Sequence, residues 1–141
     1  MNCYTFDDLE IGHQESLGLQ ITQEMMDLFC TLTGDTNPLH TDEAYARGHQ
    51  YQGRVAYGLM TASFTSTLAG MLLPGKYSLI HGVEYKFLHP VYCGDQLTIT
   101  GTVTEKDDRF KLLVIRVDIH NQKRDKVCKG IMRVGVMDGN S

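Results

Sequence analysis

From Val55 to Gly75 the chain carries no charged residue, although Arg54 and Lys76 flank the stretch on either side. A segment of this kind leaves water, and its backbone must then satisfy its own hydrogen bonds, which favours a helix. Gly58 opens the helical run and Pro74-Gly75 stops it, so a helix is expected from Gly58 to Leu73. A membrane span needs roughly 20 apolar residues, a length this stretch reaches. Its character is wrong for that role, because Thr61, Ser63, Thr65, Ser66 and Thr67 put hydroxyls all along it. The reading is a helix buried on every side within a soluble fold, with no membrane insertion.

What surrounds that helix follows from the residues before and after it. Ser16 to Ile21 alternates weakly and reads as a first strand. Thr22 can cap a helix to about Leu32 with Met25, Leu28, Phe29 and Leu32 on one face, and Thr41 can cap a short one to about Gly48. Beyond Gly75 the period changes to two: Val83, Tyr85 and Phe87; Leu97, Ile99 and Val103, interrupted by Gly101; Leu113, Ile115, Val117 and Ile119; Met132, Val134 and Val136. Short turns at Cys93-Gly94-Asp95, Lys106-Asp107-Asp108 and Asn121 to Asp125 separate these runs, which implies an antiparallel sheet. A sheet with one apolar face and a helix apolar all round fit together only if the sheet wraps the helix, an α+β arrangement. Leu112 and Val114 break the alternation, which a second subunit covering part of the sheet would explain.

Composition excludes several functions. The 141 residues are read as one domain, 1–141, and the net charge is -4. The short KRDK run at 123–126 contains an acid, so no concentrated positive surface for nucleic acid is expected. Cys3, Cys30, Cys93 and Cys128 form no CxxC, and His13, His49, His81, His89 and His120 show no metal-ligand spacing, so no metal is expected. The opening MNCYTFDDLEIG has no apolar run for a signal peptide, and reduced thiols in the cytoplasm are the expectation.

One segment concentrates chemistry: TGDTNPLH, Thr33 to His40. Pro38 lacks an N–H and disfavours helical geometry at Asn37, so the preceding helix must end and the chain must bend. Asn37 can tie the bend to neighbouring backbone. Asp35 and His40 are then free to converge, and an acid and an imidazole flanking one water can orient it, take a proton and return it. Gly58, where the central helix begins, offers free N–H groups and the positive end of the helix dipole, and its missing side chain permits close approach. DxNP alone is an ordinary turn sequence. Here it sits inside a longer pattern: Phe29, Leu32, Thr33, Gly34, Asp35, Asn37, Pro38, Leu39, His40 and Ala46.

That pattern resembles the hydratase motif of the MaoC-like, (R)-specific enoyl-CoA hydratases, and the likeness extends over nearly the whole chain. It implies a hot-dog fold, an antiparallel sheet wrapped around a central helix with the motif on an overhanging segment, assembled as a homodimer. It implies hydration of a trans-2-enoyl-CoA to the (R)-3-hydroxyacyl product, or the reverse. Asp35 and His40 would hold the water, the Gly58 N–H would meet the thioester oxygen, and Ser66 would support the aspartate. No cofactor is implied, coenzyme A being part of the substrate. The chain departs from the pattern at Tyr57, where many relatives have histidine; tyrosine there can donate a hydrogen bond or line the acyl pocket. Arg54 and Lys86 could meet coenzyme A phosphates, but each is more often merely solvated, and neither is assigned to the site. An acyl-carrier-protein-linked dehydratase, a non-catalytic hot-dog scaffold and a thioesterase are the alternatives.

Overall fold

The computed structural model describes residues 1–137. Its elements are β1 (Gln14–Gln20), α1 (Gln23–Thr33), the short helical turn α2 (Pro38–Thr41), α3 (Glu43–Gly48), α4 (Gly58–Thr67), and the strands β2 (Ser78–Phe87), β3 (Gln96–Asp107), β4 (Leu112–His120) and β5 (Lys126–Val136). The five strands form one antiparallel sheet in the order β1-β3-β4-β5-β2. Each strand read from the alternating pattern is present, so period two identified them correctly.

The inner face of the sheet carries Leu97, Ile99, Val103, Leu113, Ile115, Val117, Ile119, Met132 and Val134, all fully buried. Each large side chain among them contributes roughly 1.5–3 kcal/mol of transfer free energy. They pack on Leu68, Ala69 and Leu73, just beyond α4, where a wider turn from Leu68 to Leu72 continues the helix. Gly101 interrupts the apolar run of β3 because Leu68 sits there: a Cβ on Gly101 would stand 2.7 Å from Leu68 Cδ2. A hydrogen bond between the Thr65 and Tyr85 hydroxyls pins α4 to β2.

Three local expectations need correction. The central helix is not enclosed on all sides within one chain: Leu59 is 67% exposed, and Ser63, Ser66, Thr67 and Met71 also face outward. The sheet covers only one side of a cylinder, and the residue types on the two sides are too alike for the sequence to tell them apart. On α1 the inward residues are Met25, Met26, Phe29 and Cys30, while Leu32 is 81% exposed and Leu28 also faces outward. The apolar residues there are dense enough to fit more than one face. Finally, α3 is capped by Asp42, whose carboxylate accepts from the Tyr45 N–H at 3.0 Å, not by Thr41. Thr41 belongs to the preceding turn, which Pro38 opens from the position where its fixed φ suits a helix.

Part of the exposed apolar surface lies on β2 and α4. β2 is an edge strand, hydrogen-bonded to β5 only, and Leu79, Ile80, Val83 and Phe87 on it are exposed, as is Leu59 on α4. Leu112 and Val114, which break the alternation of β4, are half-buried. Among the described residues no helix is long and apolar enough to cross a membrane.

Candidate functional site

The loop after α1 is built by short-range hydrogen bonds that its sequence supplies. Gly34 ends the helix at φ +75°, a left-handed conformation that glycine adopts without cost, and its N–H donates to Cys30 O at 2.8 Å. The Asp35 N–H donates to Thr33 Oγ1 at 3.2 Å. Asp35 Oδ1 then accepts from the Asn37 N–H at 3.1 Å, and Asn37 Oδ1 from the Leu39 N–H at 2.9 Å. Asn37 is therefore the cap of α2 and shapes the bend, as its residue type led one to expect. One carboxylate oxygen of Asp35 is held by the loop, and Oδ2 is left to meet something outside it.

His40 lies on α2 and is anchored by the segment that leads into α4. Its Nδ1 is 2.7 Å from the carbonyl oxygen of Val55. A carbonyl only accepts, so Nδ1 carries a proton, and Nε2 is the nitrogen that holds the lone pair whenever the ring has a single proton. The Val55 N–H returns a hydrogen bond to Leu39 O at 3.1 Å, and Arg54 Nε donates to His40 O at 2.6 Å. Arg54 also lies 3.5 Å from Asp27. Its guanidinium is thus a strut of the loop, a role that neither its position nor its neighbours in sequence indicated.

Tyr57 joins the two halves. Its hydroxyl donates to Asp35 O at 2.7 Å, its ring lies 4.2 Å from the His40 ring at 31°, and Phe29 packs 4.8 Å away. The side chain is only 2% exposed, sits beneath the loop and is not among the residues that line the cleft beside His40. Burial first, then its contact with the Cys30 thiol, pushes the phenol up to about 12, so it remains a proton donor at neutral pH.

A cleft of about 360 Å³ opens beside the imidazole, lined by His40, Tyr51, Val55, Gly58, Thr61, Phe87, His89 and Cys128 among others. Gly58 begins α4, and the helix has no side-chain cap, so its first N–H groups lack partners within the helix. A Cβ on Gly58 would stand 3.2 Å from the Phe87 ring, which makes glycine the residue that lets β2 close over the helix start. Thus the structure brings His40 and Gly58 to one cleft, with Asp35 tied to it through Tyr57. Ser66 faces outward on α4, about 12 Å along the helix axis from Gly58, and is not among the residues that line this cleft. Phe87, His89 and Cys128 come from distant segments and Tyr51 from the stretch between His40 and Gly58, and apart from the bulk of Phe87 nothing in their local sequence marked them. Burial pushes the Cys128 thiol up to about 11, so it stays protonated and unreactive at neutral pH. A larger cleft of about 510 Å³ shares His89 and Pro90 with this one, but its cations Arg54 and Lys123 are interleaved with Glu43, Asp95 and Asp125.

Thr61 Oγ1 is buried without a hydrogen-bond partner, the single such side-chain atom found among the described residues. Valine has the same shape and no polar group to desolvate. Thr61→Val is therefore expected to stabilise the protein by about 1 kcal/mol, read as a rise in the denaturation midpoint with an unchanged slope. A fall would show that the hydroxyl has a partner.

The MaoC-like domain model matches residues 10–124. An (R)-specific enoyl-CoA hydratase of Rhodospirillum rubrum is 38% identical over 111 residues, 79% of this chain and 77% of that protein. A 3-hydroxybutyryl-CoA dehydratase of Methylorubrum extorquens is 35% identical over 100 residues, 71% of this chain and 64% of that one. The unliganded R-hydratase PhaJ1 of Pseudomonas aeruginosa has the same architecture, with a TM-score of 0.90 at 28% identity over 95% of this chain and 86% of that chain. Sheet, central helix and these likenesses define the class, a hydro-lyase built on the hot-dog fold. The chain belongs to the MaoC-like domain family.

Proposed function

We propose that the protein adds water across the double bond of a trans-2-enoyl thioester to give the (R)-3-hydroxyacyl product, or catalyses the reverse, with coenzyme A as the carrier. The observation that carries this reading is the His40 Nδ1–Val55 O bond of 2.7 Å, which leaves Nε2 as an acceptor in a cleft headed by Gly58. Asp35 Oδ2 and His40 Nε2 each accept a hydrogen bond from one water. Its oxygen attacks the β-carbon, His40 Nε2 takes the proton, and the Val55 carbonyl stabilises the imidazolium that forms. The π electrons move toward the thioester, whose oxygen gains negative charge and is met by the Gly58 N–H. The imidazolium returns its proton to the α-carbon, so one water has been added and the ring is neutral again. The thioester itself makes the β-carbon electrophilic, and the sequence of steps draws on no cofactor.

We further infer a homodimer formed through the outer edge of β2. A long edge strand with unpaired N–H and C=O groups and exposed Leu79, Ile80 and Val83 invites antiparallel pairing with its own copy. Ser66, on the open side of α4, would then face the second copy. Unpaired Cys3, Cys30, Cys93 and Cys128 agree with a cytoplasmic site of action.

The test is incubation of the purified protein with crotonyl-CoA, then with longer and branched enoyl-CoA and enoyl-carrier-protein substrates. Loss of the conjugated enoyl absorbance with formation of the (R)-3-hydroxy product supports the reading. Release of free thiol would point to a thioesterase, and no reaction with any substrate to a binding subunit. Light scattering that returns the mass of one chain would sink the dimer.

A further inference from the structure

Tyr57 touches both the acid-bearing loop and the imidazole, yet it is buried and is not among the residues that line the cleft. We propose that Tyr57 is a positioning residue for the Asp35–His40 pair, holding the Asp35 peptide with its hydroxyl and the His40 ring with its face. This rests on the assignment of that pair above.

The geometry supports a specific division of labour. The direction of the Asp35 side chain depends on the two peptide groups beside its Cα. The one before it donates to Thr33 Oγ1 at 3.2 Å, a bond within the same loop, and turns with the loop. The one after it accepts from Tyr57 at 2.7 Å across 22 positions of sequence, and is the tie between the Asp35 peptide and the start of α4. The same phenol ring lies against the His40 ring at 4.2 Å, inclined by 31°, and is itself backed by Phe29. Acid and imidazole are therefore registered against one rigid body next to Gly58. A carboxylate that drifts by a fraction of an ångström no longer meets the water that the imidazole holds.

The Tyr57–Asp35 bond is only part-buried, and Tyr57→Phe removes a single oxygen without changing the shape of the ring. Tyr57→Phe should fold, keep the ring on His40, and loosen the carboxylate alone. We expect kcat to fall about tenfold, with KM within about twofold. In an Asp35→Asn background the same change should cost little more, because the group it positions no longer acts. A residue that only fills space would lower the melting temperature and leave kcat of the folded protein unaltered.

The experiment compares wild type, Tyr57→Phe, Asp35→Asn and the double variant in steady-state kinetics on the best enoyl thioester found. Alongside it, the Asp35 carboxyl carbon and the His40 ring nitrogens of the full chain are followed by NMR. Expected are the kcat loss, its disappearance in the Asp35→Asn background, and a shifted Asp35 signal beside an unshifted His40. Unchanged kcat, an equal loss in both backgrounds, or an Asp35 signal that coincides with wild type would each overturn the proposal. If wild type converts no enoyl thioester, the proposed function fails, and the Asp35 signal alone decides for or against Tyr57.

Discussion

Asp35→Asn and His40→Ala are each expected to lower kcat for enoyl-thioester hydration by about 10²–10⁴-fold. The two substitutions remove different things. Asparagine keeps a side-chain oxygen where Asp35 Oδ1 accepts from the Asn37 N–H, so the Asx turn and the bend survive while the charge and its grip on the water are lost. Its melting temperature should stay close to that of wild type. Alanine at His40 removes the lone pair at Nε2, and it also strips the Val55 carbonyl of its partner and Tyr57 of its neighbouring ring. That carbonyl, if water does not reach it, is destabilising by about 1–3 kcal/mol. Because both groups act on one water, the double variant should be little worse than the poorer single. Stopped-flow or steady-state rates with a circular-dichroism melt distinguish the chemical loss from the structural one. A double variant whose losses multiply would mean that the two residues act on different steps.

Gly58→Pro is expected to reduce kcat about 10²–10³-fold by deleting the donor at the thioester oxygen. Proline suits this position structurally. It is the first residue of α4, where no intrahelical acceptor awaits the N–H, and Tyr57 before it already has φ -59° and ψ 126°, the extended conformation that proline requires of its predecessor. The complication is the Cβ, which meets the Phe87 ring at 3.2 Å. Gly58→Ala carries the same Cβ and retains the N–H, so it reports the cost of displacing Phe87 by itself. The ratio of the two variants isolates the hydrogen bond. Equal rates for alanine and proline would remove Gly58 from the mechanism.

The parts of this protein that were legible in the sequence are those in which function depends on near neighbours. The bend at Thr33 to His40 is one, because Thr33, Asp35, Asn37 and Pro38 fix it through contacts two to four residues apart. The strands are another, because an inward residue recurs at every second position wherever a sheet has one buried face. Gly58 was readable because a helix start is a local event. In contrast, Arg54 reads as an ordinary surface cation until its Nε is seen on His40 O, and Tyr57 reads as a hydrogen-bond donor of unknown partner or as pocket lining until its hydroxyl is seen on Asp35 O. Ser66 looked like a partner for Asp35 by its place in the pattern, and the helix turns it outward.

The sequence alone determined the strand periodicity, the charge-free central helix, and the placing of an acid and an imidazole on one hydrogen-bonded turn. These are encoded by spacing, by residue type and by backbone restriction, all of which act over a few residues. Only the tertiary structure decided which side of α4 and of α1 faces the sheet, which nitrogen of His40 is free, and what holds that turn to the helix start. Those choices depend on groups that meet across long stretches of chain, Val55 with His40, Tyr57 with Asp35 and Phe87 with Gly58. No local preference favours one such meeting over another; packing of the whole chain selects it.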